Sequence, residues 1–216
     1  MKIHCPELPQ NLKEETEWAG LEAWAREEEA DISGCRLTGI TEPGADLSRL
    51  TFRGVRWERC RLNEAEAERA AFIDAEFVGC DLSGANFDAA FFQRCRFTDC
   101  KGVGALLPGA RLQHVTWDGG DWRYAVLDTA QGKGLRLTRC DFSGSSLSEM
   151  RVTGWELEEA ELIGVNFSHT SLSGVDLTQC RLEGIRIAGG ELKGAVVTPY
   201  QAAELALLLG VVIRQE

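Results

Sequence analysis

No stretch of this sequence approaches the roughly 18 consecutive apolar residues of a membrane-spanning helix, so no membrane partner is expected. The start, MKIHCPELPQ, lacks the apolar segment of a secretion signal, which points to a cytoplasmic chain with reduced thiols. Basic residues are scarce: 23 Lys and Arg stand against 34 Asp and Glu, a net charge of −11. Phosphate neutralisation needs a basic footprint, so direct binding to nucleic acid is not expected and a basic or DNA-binding protein is the easier partner. There is no Gly-rich loop ending in Gly-Lys-Ser or Gly-Lys-Thr, and no HExxH zinc signature. The three histidines, His4, His114 and His169, lie far apart. These absences leave no enzyme and no cofactor to expect. Disorder is excluded in turn, because 44% of the 216 residues are hydrophobic, enough for one domain with a sizeable core.

What is present is a repeat. An apolar residue recurs every five positions, a period that belongs neither to a helix (about 3.6) nor to a strand (about 2). From Ile32 through Leu37 to Val197 there are 34 centres in one register, and only Glu42, Ala67, Gly102 and Gly132 are not large and apolar. The position two before each centre is mostly small, as at Ala45, Cys60, Ala75, Cys80, Ala85, Ala110, Cys140 and Ala160, with larger exceptions at Leu135 and Trp155. Two positions in five therefore point inward, the residue between them is usually polar, and the fifth is often Gly, which suits a turn in every repeat.

Segments such as Ala30-Asp-Ile-Ser-Gly34, Cys80-Asp-Leu-Ser-Gly84 and Val175-Asp-Leu-Thr-Gln179 resemble the pentapeptide repeat, A(D/N)LxG, over about residues 30 to 199. The resemblance implies an all-β solenoid, a right-handed quadrilateral pentapeptide-repeat β-helix with four pentapeptides per coil and a narrow core. With strands stacked about 4.8 Å apart, 34 centres make about 8.5 coils and a rod of roughly 40 Å.

Such a rod exposes apolar core and unpaired backbone at both ends unless it is capped. Residues 1–29 read as an acidic N-terminal helical cap, with a helix from Asn11 to Glu29 whose Leu12, Trp18, Leu21 and Trp24 lid the first coil. Residues 30–199 read as the β-helix. Residues 199–216 read as a C-terminal helix and tail: Thr198, Pro199 and Gln201 form a capping-box start, and Gly210 stops a helix over about 199 to 209. That helix is apolar nearly all round, more than one coil end covers, which predicts a homodimer joined through it.

Seven of the eight cysteines, all but Cys5, fall at the small inward position, and Cys60, Cys80, Cys100, Cys140 and Cys180 recur at multiples of 20 residues. A metal or redox ladder needs converging thiolates; a column of thiols in a filled core reads as packing. Trp57, Trp117 and Trp122 stand at centres, either as an exposed recognition site or held inward by bulges of the coil, and Trp155 stands at a small-residue position. Segments 40–44, 100–104, 105–109 and 130–134 break the pattern without shifting the register and read as flattened or bulged turns. His169 follows Ser168, but a neighbour in a turn is not a base held across space by an orienting acid.

Charge is unevenly placed. Residues 31–140 carry 15 acids and 15 bases, whereas residues 141–199 carry nine acids and four bases. The excess centres on Asp141, Glu149, Glu156, Glu158, Glu159, Glu161, Asp176 and Glu183, and reads either as a solubilising face or as an acidic partner-binding surface. The ending from Leu192 to Ile213, with Thr-Pro-Tyr-Gln-Ala-Ala at 198–203, is similar to that of the quinolone-resistance (Qnr) and MfpA-like pentapeptide proteins. This resemblance implies a non-enzymatic dimer that mimics B-form DNA and binds a type II topoisomerase, DNA gyrase or topoisomerase IV, modulating it or protecting it from quinolone-type inhibitors. Carried over, Tyr200, Ala203, Leu205, Leu208 and Leu209 become dimer-interface candidates, and the acidic surface becomes the topoisomerase contact. The rival reading is a pentapeptide-repeat scaffold for protein interaction with no topoisomerase target.

Overall fold

A pentapeptide turns a corner when its last residue takes the left-handed backbone region, which costs Gly nothing and other residues a little. Gly84 and Gly164 hold φ of 66° and 67° there, and Arg59, Asp99 and His169 accept the same region. The polar residue before each centre closes the turn: the carboxylates of Asp81, Asp141 and Asp176 accept the backbone N–H two residues on, at 3.0, 2.8 and 2.9 Å.

The computed structural model describes residues 1–208 and 210–214. In chain order its elements are β1 (Lys13–Glu15), α1 (Trp18–Glu27), β2 (Ile32–Ser33), β3 (Cys35–Thr38), β4 (Thr51–Arg53), β5 (Arg56–Glu58), β6 (Ala71–Ile73), β7 (Glu76–Val78), β8 (Phe91–Thr98), β9 (Arg111–Asp118), β10 (Gln131–Thr138), β11 (Arg151–Glu158) and α2 (Pro199–Leu208). They build a parallel β-solenoid in which residue i lies beside residue i + 20. On the first wall Ile32, Phe52, Phe72, Phe92, Leu112, Gly132 and Val152 pair in seven continuous rungs. The second wall carries β3, β5 and β7 and then shares the long strands β8 to β11. Single bridges between turns make the third wall, from Thr41 to Arg181, and the fourth, from Asp46 to Arg186.

The centres fill the interior as stacked columns. Phe52, Phe72 and Phe92 lie face to face with ring centroids 5.0 and 4.9 Å apart, and Phe77 lies 4.8 Å from Phe97. Each buried ring contributes about 1.5–3 kcal/mol from area alone, and such pairs add about 0.5–1.5 kcal/mol. Trp57, Trp117 and Trp122 are fully buried, so they form no exposed recognition site. Room for Trp122 comes from a missing side chain: a Cβ on Gly102 would sit 2.4 Å from its ring. Gly132 likewise yields space to Leu135 and Val152. Two of the four exceptions to the register are thus compensations for large neighbours. The segments read as irregular turns do not depart from the coil either: Gly44, Gly104 and Gly109 donate to the next coil at 2.9, 2.9 and 3.0 Å, and residues 131–134 lie within β10.

The N-terminal cap differs from a helix over 11–29. Residues 13–15 instead form β1, which pairs with Cys35–Leu37 and extends the second wall by one rung. The helix is only Trp18–Glu27, because Glu17 is extended and supplies no side-chain cap. Trp18 and Ala25 are buried, and the Trp18 ring lies 6.2 Å from Phe52 and 5.8 Å from Trp57, so Trp18 forms the lid with Leu21 packed against the same core, while Trp24 stays 46% exposed.

Residues 1–9 form no helix. They run as a strap along one column of corners. Pro9 lies against Gly54, the Glu7 N–H donates to Asp74 Oδ1 at 3.0 Å, His4 packs edge-on against His114 with centroids 4.7 Å apart, and Met1 lies against Gly134 and Gly154. Asp74 is gripped from its other side by Arg94.

The register continues to Val197, but the ladder does not. On the first wall Gln131 and Arg151 donate one coil back, to Ala110 and Ala130 at 2.9 and 3.0 Å. Ser171, the next in that series, makes no such bond. On the second wall Gly119 and Arg139 donate forward to Thr138 and Glu158 at 2.8 and 2.9 Å, whereas Glu159 has no acceptor. The third and fourth walls cross the same level through Glu161–Arg181 and Asn166–Arg186. The change coincides with Trp155, a ring where the rest of its column has Cys35, Val55, Ala75, Cys95, Val115, Leu135 and Val175. A terminal unit of residues 171–198 follows, closed on itself by Leu172 to Glu191 and Leu177 to Val196 at 2.9 and 2.8 Å.

α2 seals that unit through the expected capping box. Thr198 N–H donates to Gln201 Oε1 at 2.8 Å, and Gln201 N–H donates to Thr198 Oγ1 at 3.2 Å. The Gln201 amide then donates to the carbonyls of Leu177 and Cys180. No helix among the described residues is long and apolar enough to cross a membrane.

Candidate functional site

Twenty-residue spacing decides which acids share a wall. Glu156, Glu158 and Asp176 belong to the second wall, Asp141, Glu161 and Glu183 to the third, and Glu159 to the corner between them. Glu149 sits at a corner of the fourth wall and is separated from the group. Seven of the eight sequence-predicted acids are therefore brought to two adjoining walls near the C-terminal end.

Ion pairing reduces the charge of this group. Asp141 lies 3.7 Å from Arg123, Glu161 and Glu183 lie 3.5 and 3.2 Å from Arg181, and Glu156 pairs with Arg136. Backbone and Arg181 hydrogen bonds hold the Glu183 carboxyl below its ordinary value. Among the described residues Glu149, Glu158, Glu159 and Asp176 make no ion pair. Asp176 is held low by the Thr178 hydroxyl and N–H, the turn bond common to this family of positions. Glu191, part of the same acidic stretch, has turned inward: it is buried and accepts the N–H groups of His169 and Gly189 at 2.8 and 2.7 Å.

The dimer candidates divide in the same way. Tyr200 and Leu208 are 73% and 45% exposed, and Ala203 is half-buried. Leu205 is buried against its own coil end beside Leu182, where it caps the coil. Leu209 lies outside the described residues. Sequence reasoning missed Leu207, and beyond the helix Val211, Val212 and Ile213, all exposed. For the last three the signal was hydrophobicity past the Gly210 stop.

The seven inward cysteines are buried, and the thiols of Cys60, Cys95 and Cys140 each donate to a carbonyl at 3.2 Å. Burial pushes Cys95 and Cys140 up to about 12, which keeps them protonated. Ser168 Oγ donates to Asn166 Oδ1 at 2.8 Å, away from the neighbouring His169. Among the described residues no three His, Cys, Asp or Glu side chains converge on a common point for a metal.

Residues 70–147 match the family described as pentapeptide repeat region, and residues 153–184 match the family described as pentapeptide repeats (8 copies). No curated protein matches this sequence. Among solved structures, HetL, a pentapeptide repeat protein involved in heterocyst differentiation regulation from the cyanobacterium Nostoc sp. strain PCC 7120, is 18% identical, with a TM-score of 0.59 over 82% of this chain and 95% of its own. A trypsin-treated form of QnrB1, a plasmid-mediated fluoroquinolone resistance protein, is 18% identical, with a TM-score of 0.47 over 82% of this chain and 99% of its own. Taken with the 34-centre register and the four ladders spaced at 20 residues, the matched segments establish that this chain belongs to the pentapeptide-repeat proteins.

Proposed function

We propose that this protein is a non-enzymatic protein-binding rod that presents the anionic corner of its second and third walls to a cationic surface. The finer form of the proposal is a DNA mimic acting on a type II topoisomerase, DNA gyrase or topoisomerase IV, as a dimer joined through α2. The observation that carries it is the gathering of seven acids on two adjoining walls beside the exposed apolar residues of α2. The third-wall ladder holds Asp141 and Glu161 at a fixed pitch, and pairing with β10 fixes the strand that carries Glu156 and Glu158, so a partner meets charge on a rigid backbone, and long-range steering depends on salt.

The scaffold reading has its own support. One column of acids repeats about every 4.8 Å, against a phosphate about every 3.4 Å along a DNA strand, and four of the seven acids on the two walls are already paired with Arg. A titration of the protein into gyrase and topoisomerase IV reactions, read by supercoiling and by quinolone-stabilised cleavage, separates the two. The DNA-mimic reading expects an effect that fades with added salt and is lost in Glu158→Lys with Glu159→Lys, two acids whose reversal breaks no ion pair. No binding and no effect at any concentration leaves the scaffold.

A further inference from the structure

The broken ladder leaves β11 as a strand edge. By the alternation seen in every earlier coil, the N–H groups of Val152, Gly154, Leu157 and Glu159 and the carbonyls of Met150 and Trp155 face the terminal unit, and no backbone bond joins residues 151–159 to residues 171–178. Unpaired strand edges bind other strands because each backbone group left without a partner is costly. Beside this edge lies a cleft of about 610 Å³, bordered by Thr138, Trp155 and Leu157 on one side and Gly174, Asp176 and Thr178 on the other; of the arginines that also line it, Arg136 and Arg139 are paired with Glu156 and Asp118, and Arg96 donates to Cys5 Sγ. The Trp155 indole N–H has no acceptor. Glu158 and Asp176 stand on opposite lips, both exposed and neither in an ion pair among the described residues. The cleft therefore asks for an extended segment that supplies backbone hydrogen bonds, apolar β-branched side chains and a cation.

The chain itself carries such a segment. Val211, Val212 and Ile213 are 50%, 85% and 45% exposed in a segment that is neither helix nor strand and leads into Arg214. Among the described residues their one backbone bond is from Val211 N–H to the Ala206 carbonyl. In the single chain this tail stays out of its own cleft. We propose that Val211–Arg214 of a second copy adds as a strand to β11, with Arg214 between Glu158 and Asp176. The reach is adequate: four extended residues span about 13 Å, and the cleft lies about two rungs, roughly 10 Å, from the α2 end of the rod. This inference rests on backbone pairing and does not depend on any topoisomerase.

Hydrogen exchange at β11 tests it. In the full chain, the amides of Val152, Gly154, Leu157 and Glu159 are expected to exchange about ten-fold more slowly at high than at low protein concentration. Removing residues 211–216 is expected to abolish that difference, and the peptide Gly-Val-Val-Ile-Arg is expected to restore protection to the shortened chain. Glu158→Gln with Asp176→Asn, which keeps the turn-forming side chain at 176, is expected to weaken the peptide about ten-fold, with the Tm unchanged. Protection independent of concentration would place the tail in its own cleft and overturn the exchange between copies. Equal exchange with and without the tail, or equal protection by Gly-Val-Val-Ile-Glu, would overturn the assignment altogether.

Discussion

The seven-rung wall and the terminal unit obey one inward pattern, yet only the first is laddered on all sides. Phe72 is stacked above and below, by Phe52 and Phe92, and its strand is bonded to both neighbours. Leu177 is equally buried, but its coil is joined to the preceding one only through the third and fourth walls. The inward residues thus fill the core, while backbone pairing between coils is decided separately, by whether the side chains at one level let the next coil come close.

The contrast predicts different unfolding behaviour. Phe72→Ala opens a cavity in the laddered wall and is expected to cost about 3–5 kcal/mol in one global transition by chemical denaturation. Leu177→Ala is expected to cost about 2–3 kcal/mol and to appear as an earlier, separate transition of the terminal unit. A single coincident transition in both variants would show that the break does not divide the rod. Gly120→Ala acts in the laddered coils where the second wall meets the third: φ is 97°, and the new Cβ would meet the Cys100 carbonyl oxygen at 2.2 Å. A loss of about 1–3 kcal/mol in thermal unfolding is expected.

Acid should act on the terminal unit next. Burial raises the Glu191 carboxyl, but the N–H groups of His169, Gly189 and its neighbours outweigh it and bring the group down to about 2. A depressed carboxyl stabilises the fold above the ordinary value near 4.5 and loses that contribution as pH falls from there toward 2. Protection of the His169 and Gly189 amides, measured against their intrinsic exchange rates, should fall over that window, and Glu191→Gln should remove the dependence. The smallest effect belongs to the strap. Burial and the nearby charges of His4, Lys133 and Arg94 lower His114, so its neutral form is favoured when folded. That contribution is complete above the ordinary value of 6.5 and is lost as pH falls below it. His114→Gln should flatten strap protection between pH 7 and 5, read by exchange at the Glu7 amide.

The coil was legible because two positions in five carry strict size demands, and the 34-centre register meets them from Ile32 to Val197. The capping box at Thr198 and Gln201 was legible for a similar reason, since its bonds are local. What stayed hidden was non-local. β1, rich in Lys and Glu, pairs with β3 through its backbone and the Glu14–Arg36 ion pair and carries no strand signature. The strap's only local cue was Pro6 and Pro9, which favour extended chain over helix. The ladder break was marked by one residue, Trp155 at a small position, whose consequence depends on the coil that follows. Of the candidate site, the wall assignment of the acids follows from their spacing, but their Arg partners 20 residues away were not recognised.

A solenoid is ordinarily a one-dimensional object, in which each coil feels only the coils beside it and disorder can spread from either end. The strap breaks that rule. Because Glu7 is tied at Asp74, His4 at His114 and Met1 at Gly154, nine residues connect rungs that no ladder bond links directly. Fraying at the middle of the rod must therefore also release a segment anchored near its start. The strap has no surface to dock on until those rungs exist, so its closure is a late event in folding. It converts a stack with nearest-neighbour coupling into a unit whose distant coils stand or fall together.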